Sequence, residues 1–362
     1  MRIEGFDLYR YDLALSEPVA LKDATLRRRE GALIRLTADD GSEGWGEAAP
    51  LPNFSPESLT DATEQLRTIA PPLAGREVPV SPSMPYDPTF PELARLVPSA
   101  RFGLEVALLN LSAAFREKLP SQLLTNQPEE TVLINGLLSG SMDKMLADAR
   151  SMGKGGYRAV KLKVGRREVA EDAEVVRRVG GILGGGVSLR LDANRAWGFD
   201  EALEFARGIS GVPVEYVEEP LAEPWRLPEL ARAWGLPVAL DESLVGMVPA
   251  GLGLHPYARA VVLKPTLLGG VSRALRFAEQ AEALGVASVV SSSYEGGVGT
   301  GALVALAAAV GEEPAGLDTY RALAEDVTWD PLRLPAPTVD VRATAEAARK
   351  VDVGRLEPVP LG

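Results

Sequence analysis

Eight charged residues stand at or next to the ends of short apolar runs, where a folded chain rarely leaves charge without a partner or a task. They are Lys161 and Lys163 in AVKLKVG, Asp192 in LRLDAN, Glu218 and Glu219 in YVEEP, Asp241 and Glu242 in ALDES, and Lys264 in VVLKP. From Lys163 to Asp192, Glu218, Asp241 and Lys264 the steps are 29, 26, 23 and 23 residues, each long enough for one strand, a crossover helix and the return. If these strands close into a barrel, equivalent strand ends form a ring and the charges meet at one mouth. Three carboxylates there repel unless a cation neutralises them, and hard oxygen donors favour Mg²⁺, with Mn²⁺ as the alternative. Asp192, Glu218 and Asp241 are the candidate ligands. Glu219, Glu242 and Asn194 are candidates for bracing them or for capping turns.

The lysines flank the acids, so one can act as a base while the other supplies positive charge. This combination suits removal of a proton from a carbon beside a carboxylate, because the resulting enediolate is doubly negative. Of the 38 basic residues 30 are arginine and eight are lysine. Three of those eight, Lys161, Lys163 and Lys264, lie in apolar, β-branched runs. Arginine keeps its proton, whereas desolvation and cationic neighbours turn lysine into a base. Strand alternation puts Lys161 and Lys163 on one face, where Lys161 can favour the neutral form of Lys163 and contact substrate. Arg190, two residues before Asp192, either pairs with acids or binds a substrate carboxylate. Taken singly, each motif reads as solvated loop or helix cap; together, in order and at one spacing, they form a site.

Those strand ends require a scaffold. From residue 130 short apolar runs alternate with amphipathic helical patterns. The strands read as Val132–Asn135, Ala159–Lys163, Ser188–Asp192, Val214–Glu218, Val238–Asp241, Ala260–Leu263, Ser288–Val290 and Gly316–Asp318. The pattern predicts an α/β fold, a (β/α)8-type barrel, over an open doubly wound sheet, because polar residues collect at many strand ends rather than at one switch point. Residues 1–120 read as an α+β cap. Its antiparallel meander leads to a helix that Pro71 and Pro72 end, a proline-rich loop (VPVSPSMPYDPTFP) and a second helix over Ser99–Arg116. Residues 121–322 form the barrel, and 323–362 return to the cap.

A net charge of −12 lacks the basic footprint of a nucleic-acid or anionic-membrane binder. No apolar run is long enough to span a bilayer, and the N-terminus does not read as a secretory signal, so a soluble, cytoplasmic protein is expected. The absence of cysteine excludes thiol nucleophiles, disulfides and thiolate metal sites. The lone histidine, His255 in LHPY, reads as a surface turn. The expected partner is a small-molecule carboxylate substrate, and the oligomeric state is left open.

The order KxK, DAN, EEP, DES and LKP behind an α+β cap resembles the enolase superfamily, in its muconate lactonizing enzyme subgroup. GWGEAAPLPNFSPES, SSSYEGGVGTGALVALAAA and GLDTY are similar to the o-succinylbenzoate synthase family within it. That resemblance implies Lys163 as the base, Lys264 as the stabilising cation and Mg²⁺ on Asp192, Glu218 and Asp241. The implied reaction dehydrates a succinyl-hydroxycyclohexadiene carboxylate in menaquinone biosynthesis. It also implies that Ser291, Ser292 and Ser293 meet the succinyl group, and that Leu21–Arg28 is a loop closing over substrate. Gly296, with Gly297 and Gly299, opens a helix whose N–H groups either receive an anion or simply make a tight turn.

Relatives with other activities fit less well. Mandelate-type racemases use a second, histidine base, and dipeptide epimerases carry an acidic pair where GLDTY supplies only Asp318. Muconate cycloisomerase fits the serine stretch poorly. N-succinylamino acid racemase needs the same two lysines, whereas a non-catalytic anion-binding barrel needs the metal and Arg190 but not both lysines.

Overall fold

A computed structural model describes residues 1–21, 25–78, 89–334 and 337–361. Part of the expected closing loop (22–24), most of the proline-rich loop (79–88) and residues 335–336 of the tail lie outside the described residues.

The cap begins with a long hairpin, β1 (Ile3–Ala20) and β2 (Thr25–Ala38), paired antiparallel and followed by β3 (Glu43–Ala48). Thr25–Arg28 of the expected loop therefore belong to a strand. Helix α1 (Leu59–Leu73) starts at a capping box between Ser58 and Asp61. Pro71 and Pro72 lie within its last turn rather than before its end. Proline's fixed φ is helical, and the turn closes on the Ala74 N–H donating to the Pro71 carbonyl.

Helix α2 (Pro98–Phe115) is buried on almost every side because it lies between the cap sheet and the barrel. Fully burying Phe102, Leu104, Leu108 and Leu111 contributes about 1.5–3 kcal/mol each. The GWGE stretch of β3 makes that approach possible. A Cβ on Gly46 would stand 1.9 Å from the Gly103 carbonyl oxygen of α2, and one on Gly44 2.3 Å from that of Ala107. By strand alternation the intervening Trp45 and Glu47 face the other way, Trp45 packing with Val298 and Val327 beyond the cap. The short α3 (Ser121–Leu124) leads into the barrel.

The first strand differs from the sequence expectation. The apolar run splits into β4 (Thr131–Leu133), which pairs antiparallel with a tail strand, and β5 (Gly136–Leu138), which joins the barrel. Then follow α4 (Met142–Lys154), β6 (Ala159–Lys163), α5 (Val169–Leu183), β7 (Ser188–Asp192), α6 (Phe199–Gly208), β8 (Tyr216–Glu218), α7 (Leu227–Ala233) and β9 (Val238–Leu240). Next come β10 (Ala258–Leu263), α8 (Pro265–Leu268), α9 (Val271–Ala283), β11 (Ala287–Val290) and α10 (Gly297–Val310).

Strands β5 to β11 form a seven-stranded parallel sheet in chain order. The eighth position is reduced to Ala315 and Gly316, which bridge Ile134 on one side and Ser291 on the other and so join the two edges. The tail divides. Its strand β12 (Thr338–Asp340) and helix α11 (Val341–Ala348) lie against β4 and α10, while β13 (Glu357–Pro358) joins β1 at the edge of the cap sheet. Among the described residues no helix is long and apolar enough to cross a membrane.

Candidate active site

Parallel pairing puts Lys163 beside Asp192 and Asp192 beside Glu218, so three chemically active residues share one level at the ends of β6, β7 and β8. Asp241 follows β9 and Lys264 follows β10. One layer down, Lys161 reaches up with its Nζ 2.6 Å from Glu218 Oε2 and 3.0 Å from Asp192 Oδ2. The Lys264 ammonium donates to Asp241 Oδ2.

The strand-end turns use left-handed backbone at Asn194 (φ 43°), Arg195 (φ 59°) and Glu219 (φ 38°), conformations that tertiary contacts must maintain. Glu219, fully buried, accepts from the N–H groups of Asp241 (3.0 Å) and Ser243 (2.7 Å), from the Ser243 hydroxyl (2.9 Å) and from Arg195 Nε (2.9 Å). It therefore fixes the backbone that carries Asp241. The Asn194 side chain donates to Glu242 Oε1 (3.1 Å), and its N–H donates to Asp192 Oδ1 (3.1 Å).

These surroundings drive the two mouth lysines apart. Burial lowers Lys163 to about 8; Asp192 opposes the change, while Lys161, Arg166 and Lys264 add to it. Burial also disfavours the charge on Lys264, but Asp241, Glu242 and Asp192 together outweigh this and hold the ammonium above the ordinary lysine value. Lys161 is likewise held well above the ordinary lysine value, against its burial, by Asp192 and Glu218. Burial pushes Glu218 up to about 7 and, with Asp241 adjacent, Glu242 up to about 8. Burial works against the charge on Asp192, but Lys161, Lys163 and Lys264 together hold it below the usual carboxylate range.

Among the described residues no three His, Asp or Glu side chains are gathered as a metal-ligand set, since Asp192 and Glu218 turn to Lys161 and Asp241 turns to Lys264. The donor chemistry still suits a hard divalent cation. Asp192, Glu218, Asp241 and Glu242 outnumber the three lysines, and Glu242 Oε2 is buried without a hydrogen-bond partner among the described residues.

A pocket partly open to solvent covers this floor. Lys161, Lys163, Asp192, Asn194, Lys264 and Ser291–Ser293 line it. Glu218, Glu219, Asp241 and Glu242 brace the floor through the contacts above. Ser292 shares its hydroxyl with Thr319, and the Ser293 Oγ is buried without a partner among the described residues.

Two expectations are corrected. Arg190 is 1% exposed and lies deeper in the barrel, where it pairs with Glu215 (2.9 Å) and Glu313 (2.8 Å), donates to the Pro314 carbonyl (2.6 Å) and stacks on Tyr216. Its donors are spent on the protein, so it does not bind substrate. Gly296 offers no free N–H: it donates to Glu47 Oε1 (2.6 Å), Gly299 donates to Glu47 Oε2 (2.7 Å) and Gly297 to Asp326 (2.8 Å). The anion at this helix N-terminus is the protein's own. His255 hydrogen-bonds to the Tyr257 hydroxyl through Nδ1 (2.7 Å) and is half-buried.

Leu21, from the expected closing segment, lines the pocket with Tyr294 and Thr319, and sequence reasoning overlooked two further cap residues there, Leu51 and Phe54. Leu51 and Phe54 lie in the PLPNF motif, a signal that was available; the contact with Tyr294 was not.

Residues 144–346 match the family model described as the enolase C-terminal domain-like domain, and residues 3–111 match that described as the MenC N-terminal domain. The chain is 32% identical over 310 residues to o-succinylbenzoate synthase of Haemophilus influenzae, covering 85% of this chain and 87% of that protein. It is 33% identical over 368 residues to the chloroplastic protein PHYLLO of Arabidopsis thaliana, covering 90% of this chain but only 21% of that longer protein. Among solved structures, muconate lactonizing enzyme from Pseudomonas fluorescens is similar with a TM-score of 0.81 and 27% identity, over 94% of this chain and 93% of that one. The fold is also shared with an N-succinyl Arg/Lys racemase from Bacillus cereus, with a TM-score of 0.85 and 20% identity over 99% of this chain and 100% of that one. With the strand-end geometry in place and these likenesses spanning cap and barrel alike, the chain belongs to the enolase superfamily and, within it, to the o-succinylbenzoate synthase family of lyases.

Proposed function

We propose that this chain dehydrates 2-succinyl-6-hydroxy-2,4-cyclohexadiene-1-carboxylate to o-succinylbenzoate and water, a step of menaquinone biosynthesis in the cytoplasm. The observation that carries this is the opposed pair of lysines on one pocket, Lys163 shifted toward the neutral amine and Lys264 held as a cation. Lys163 takes the proton from the carbon alpha to the ring carboxylate, and the electron pair moves into that carboxylate. The Lys264 ammonium stabilises the charge that develops. Lys163, now protonated, returns its proton to the departing hydroxide on the same face, so one C–H and one C–O bond break, water leaves and the ring becomes aromatic.

Asp192, Glu218 and Asp241 would hold Mg²⁺ or Mn²⁺, with Glu219, Glu242 and Asn194 bracing them. A bound divalent cation supplies positive charge that favours the doubly negative form of the substrate carboxylate. Lys161 restrains Asp192 and Glu218, and Ser291–Ser293 receive the succinyl group. Residues 1–120 with the β13 end of the tail act as the cover, and 121–322, against which β12 and α11 pack, as the catalytic barrel.

N-succinylamino acid racemisation is the second reading, because two lysines on one pocket can also exchange an alpha proton from either face. Parallel assays with Mg²⁺ on the cyclohexadiene and on N-succinyl amino acids separate the two. Efficient dehydration with little racemisation supports the proposal, and racemisation alone overturns it in favour of the second reading.

A further inference from the structure

Arg29, on β2 of the cap, is 1% exposed and makes no ion pair among the described residues. A guanidinium carries five N–H bonds in a fixed plane, and here each one finds a backbone carbonyl. Nε donates to Tyr294 (2.8 Å), Nη1 to Glu30 (3.0 Å) and Pro50 (2.9 Å), and Nη2 to Ser293 (3.3 Å) and Ala49. Two of these carbonyls belong to the barrel loop after β11, and two to the cap segment after β3. Both segments lead directly into pocket wall: Ser293 and Tyr294 on one side, Leu51 and Phe54 on the other.

Tyr294 makes this arrangement more than an ordinary interdomain contact. Its φ is 62°, left-handed backbone that a bulky side chain adopts only when its surroundings enforce it. That conformation places its ring against Leu21, Leu26 and Leu51, between hairpin tip and pocket. The loop is held from its other side by Glu295, which accepts from the Ser293 N–H (2.6 Å) and from the Thr266 hydroxyl (2.5 Å). From the cap, Glu47 holds the N–H groups of Gly296 and Gly299 and the leucines hold the Tyr294 ring, while among the described cap residues Arg29 alone bonds the Ser293 and Tyr294 carbonyls and ties them to Ala49 and Pro50. Lysine has three donors on one atom and cannot reach five carbonyls spread around a planar fork.

We infer that Arg29 is a positioning residue for the active site, pinning the left-handed Tyr294 turn of the barrel to the Ala49–Pro50 segment of the cap so that the two walls of the substrate pocket keep one spacing. Its kinetic consequence rests on the function proposed above; the pin itself does not.

Full-length Arg29→Met and Arg29→Lys test it by two readouts. In amide hydrogen exchange without substrate, both variants should lose protection at 49–54 and at 291–296 together, with α5 and α6 unchanged. In steady-state kinetics Arg29→Met should lower kcat/KM by about tenfold to a hundredfold, as expected when pocket walls that bind ground state and transition state alike lose their spacing. Most of the loss should lie in KM, and Arg29→Lys should recover little of it. A purely structural role would lower thermal stability and leave KM in place. If Arg29→Met does not fold, Arg29→Lys carries both tests. Protection unchanged in either segment overturns the pin, and loosened segments with kinetic constants within about twofold of wild type overturn its positioning role. If the unmodified chain fails to dehydrate the cyclohexadiene, the proposed function falls, and hydrogen exchange still decides the pin.

Discussion

Substituting Lys163 separates catalysis from folding, and its expected pH profile can be worked from the structure. With burial bringing Lys163 to about 8, about a tenth of it is the neutral amine at pH 7 and about nine tenths at pH 9. A base must be neutral to accept a proton, so log kcat/KM should rise with unit slope below the inflection and level off above it. A divalent cation nearby adds positive charge and moves the inflection lower, never higher. Each assisted proton transfer contributes about 10²–10⁴-fold, and Lys163 is assigned two, so Lys163→Ala should fall at least that far below wild type. The loss should appear in kcat, with Mg²⁺ affinity by titration calorimetry little changed, because Lys163 makes no direct ion pair with the three acids among the described residues. The assay follows disappearance of the cyclohexadiene absorbance from pH 5.5 to 10. An inflection near the ordinary lysine value, or turnover retained in Lys163→Ala, would refute the assignment of the base.

Glu219→Gln weakens the brace behind Asp241, and Mg²⁺ affinity measured by calorimetry should drop about 10–100-fold in a protein that remains folded. Arg190→Met breaks a structural ion pair below the site. We expect about 2–3 kcal/mol lost in urea unfolding, less than a fully buried pair would cost because Glu313 is partly exposed, with KM unchanged. Glu47→Gln opposes an amide NH₂ to the N–H groups of Gly296 or Gly299 and should cost about 2–3 kcal/mol. Glu47 is raised by burial to about 7 from 4.5, so the folded state binds its proton more tightly than the unfolded. Its stabilising contribution is then full below pH 4.5 and is lost as pH rises through 7. The deficit of Glu47→Gln should accordingly shrink between pH 5 and pH 8, and a deficit that grew would contradict the shift.

The ring of strand-end residues was legible because its signal is local: a charge ending an apolar run, repeated at the length of one βα unit. The amphipathic patterns between the strands were legible as helices because α5, α6, α7 and α9 each bury a clear stripe. Errors arose where partner choice decides the structure. The run TVLINGLL is apolar enough for a strand on either side of Asn135, and periodicity cannot say that the first half pairs with the tail. Arg190 shares its strand face with Asp192 but lies one layer deeper, and the acids that claim it, Glu215 and Glu313, are 25 and 123 residues away. Gly296 looked like a free anion site because nothing in SSSYEGG reveals that Glu47, from another domain, fills it. Arg29 was one of three consecutive arginines with no local feature to distinguish it.

The most direct test of the account is one progress curve: the full-length chain with the cyclohexadiene and Mg²⁺, a chelator added midway, then excess Mg²⁺. The account predicts o-succinylbenzoate formation that stops on chelation and resumes when Mg²⁺ returns. No product at any Mg²⁺ concentration, or formation that continues through chelation, would contradict it.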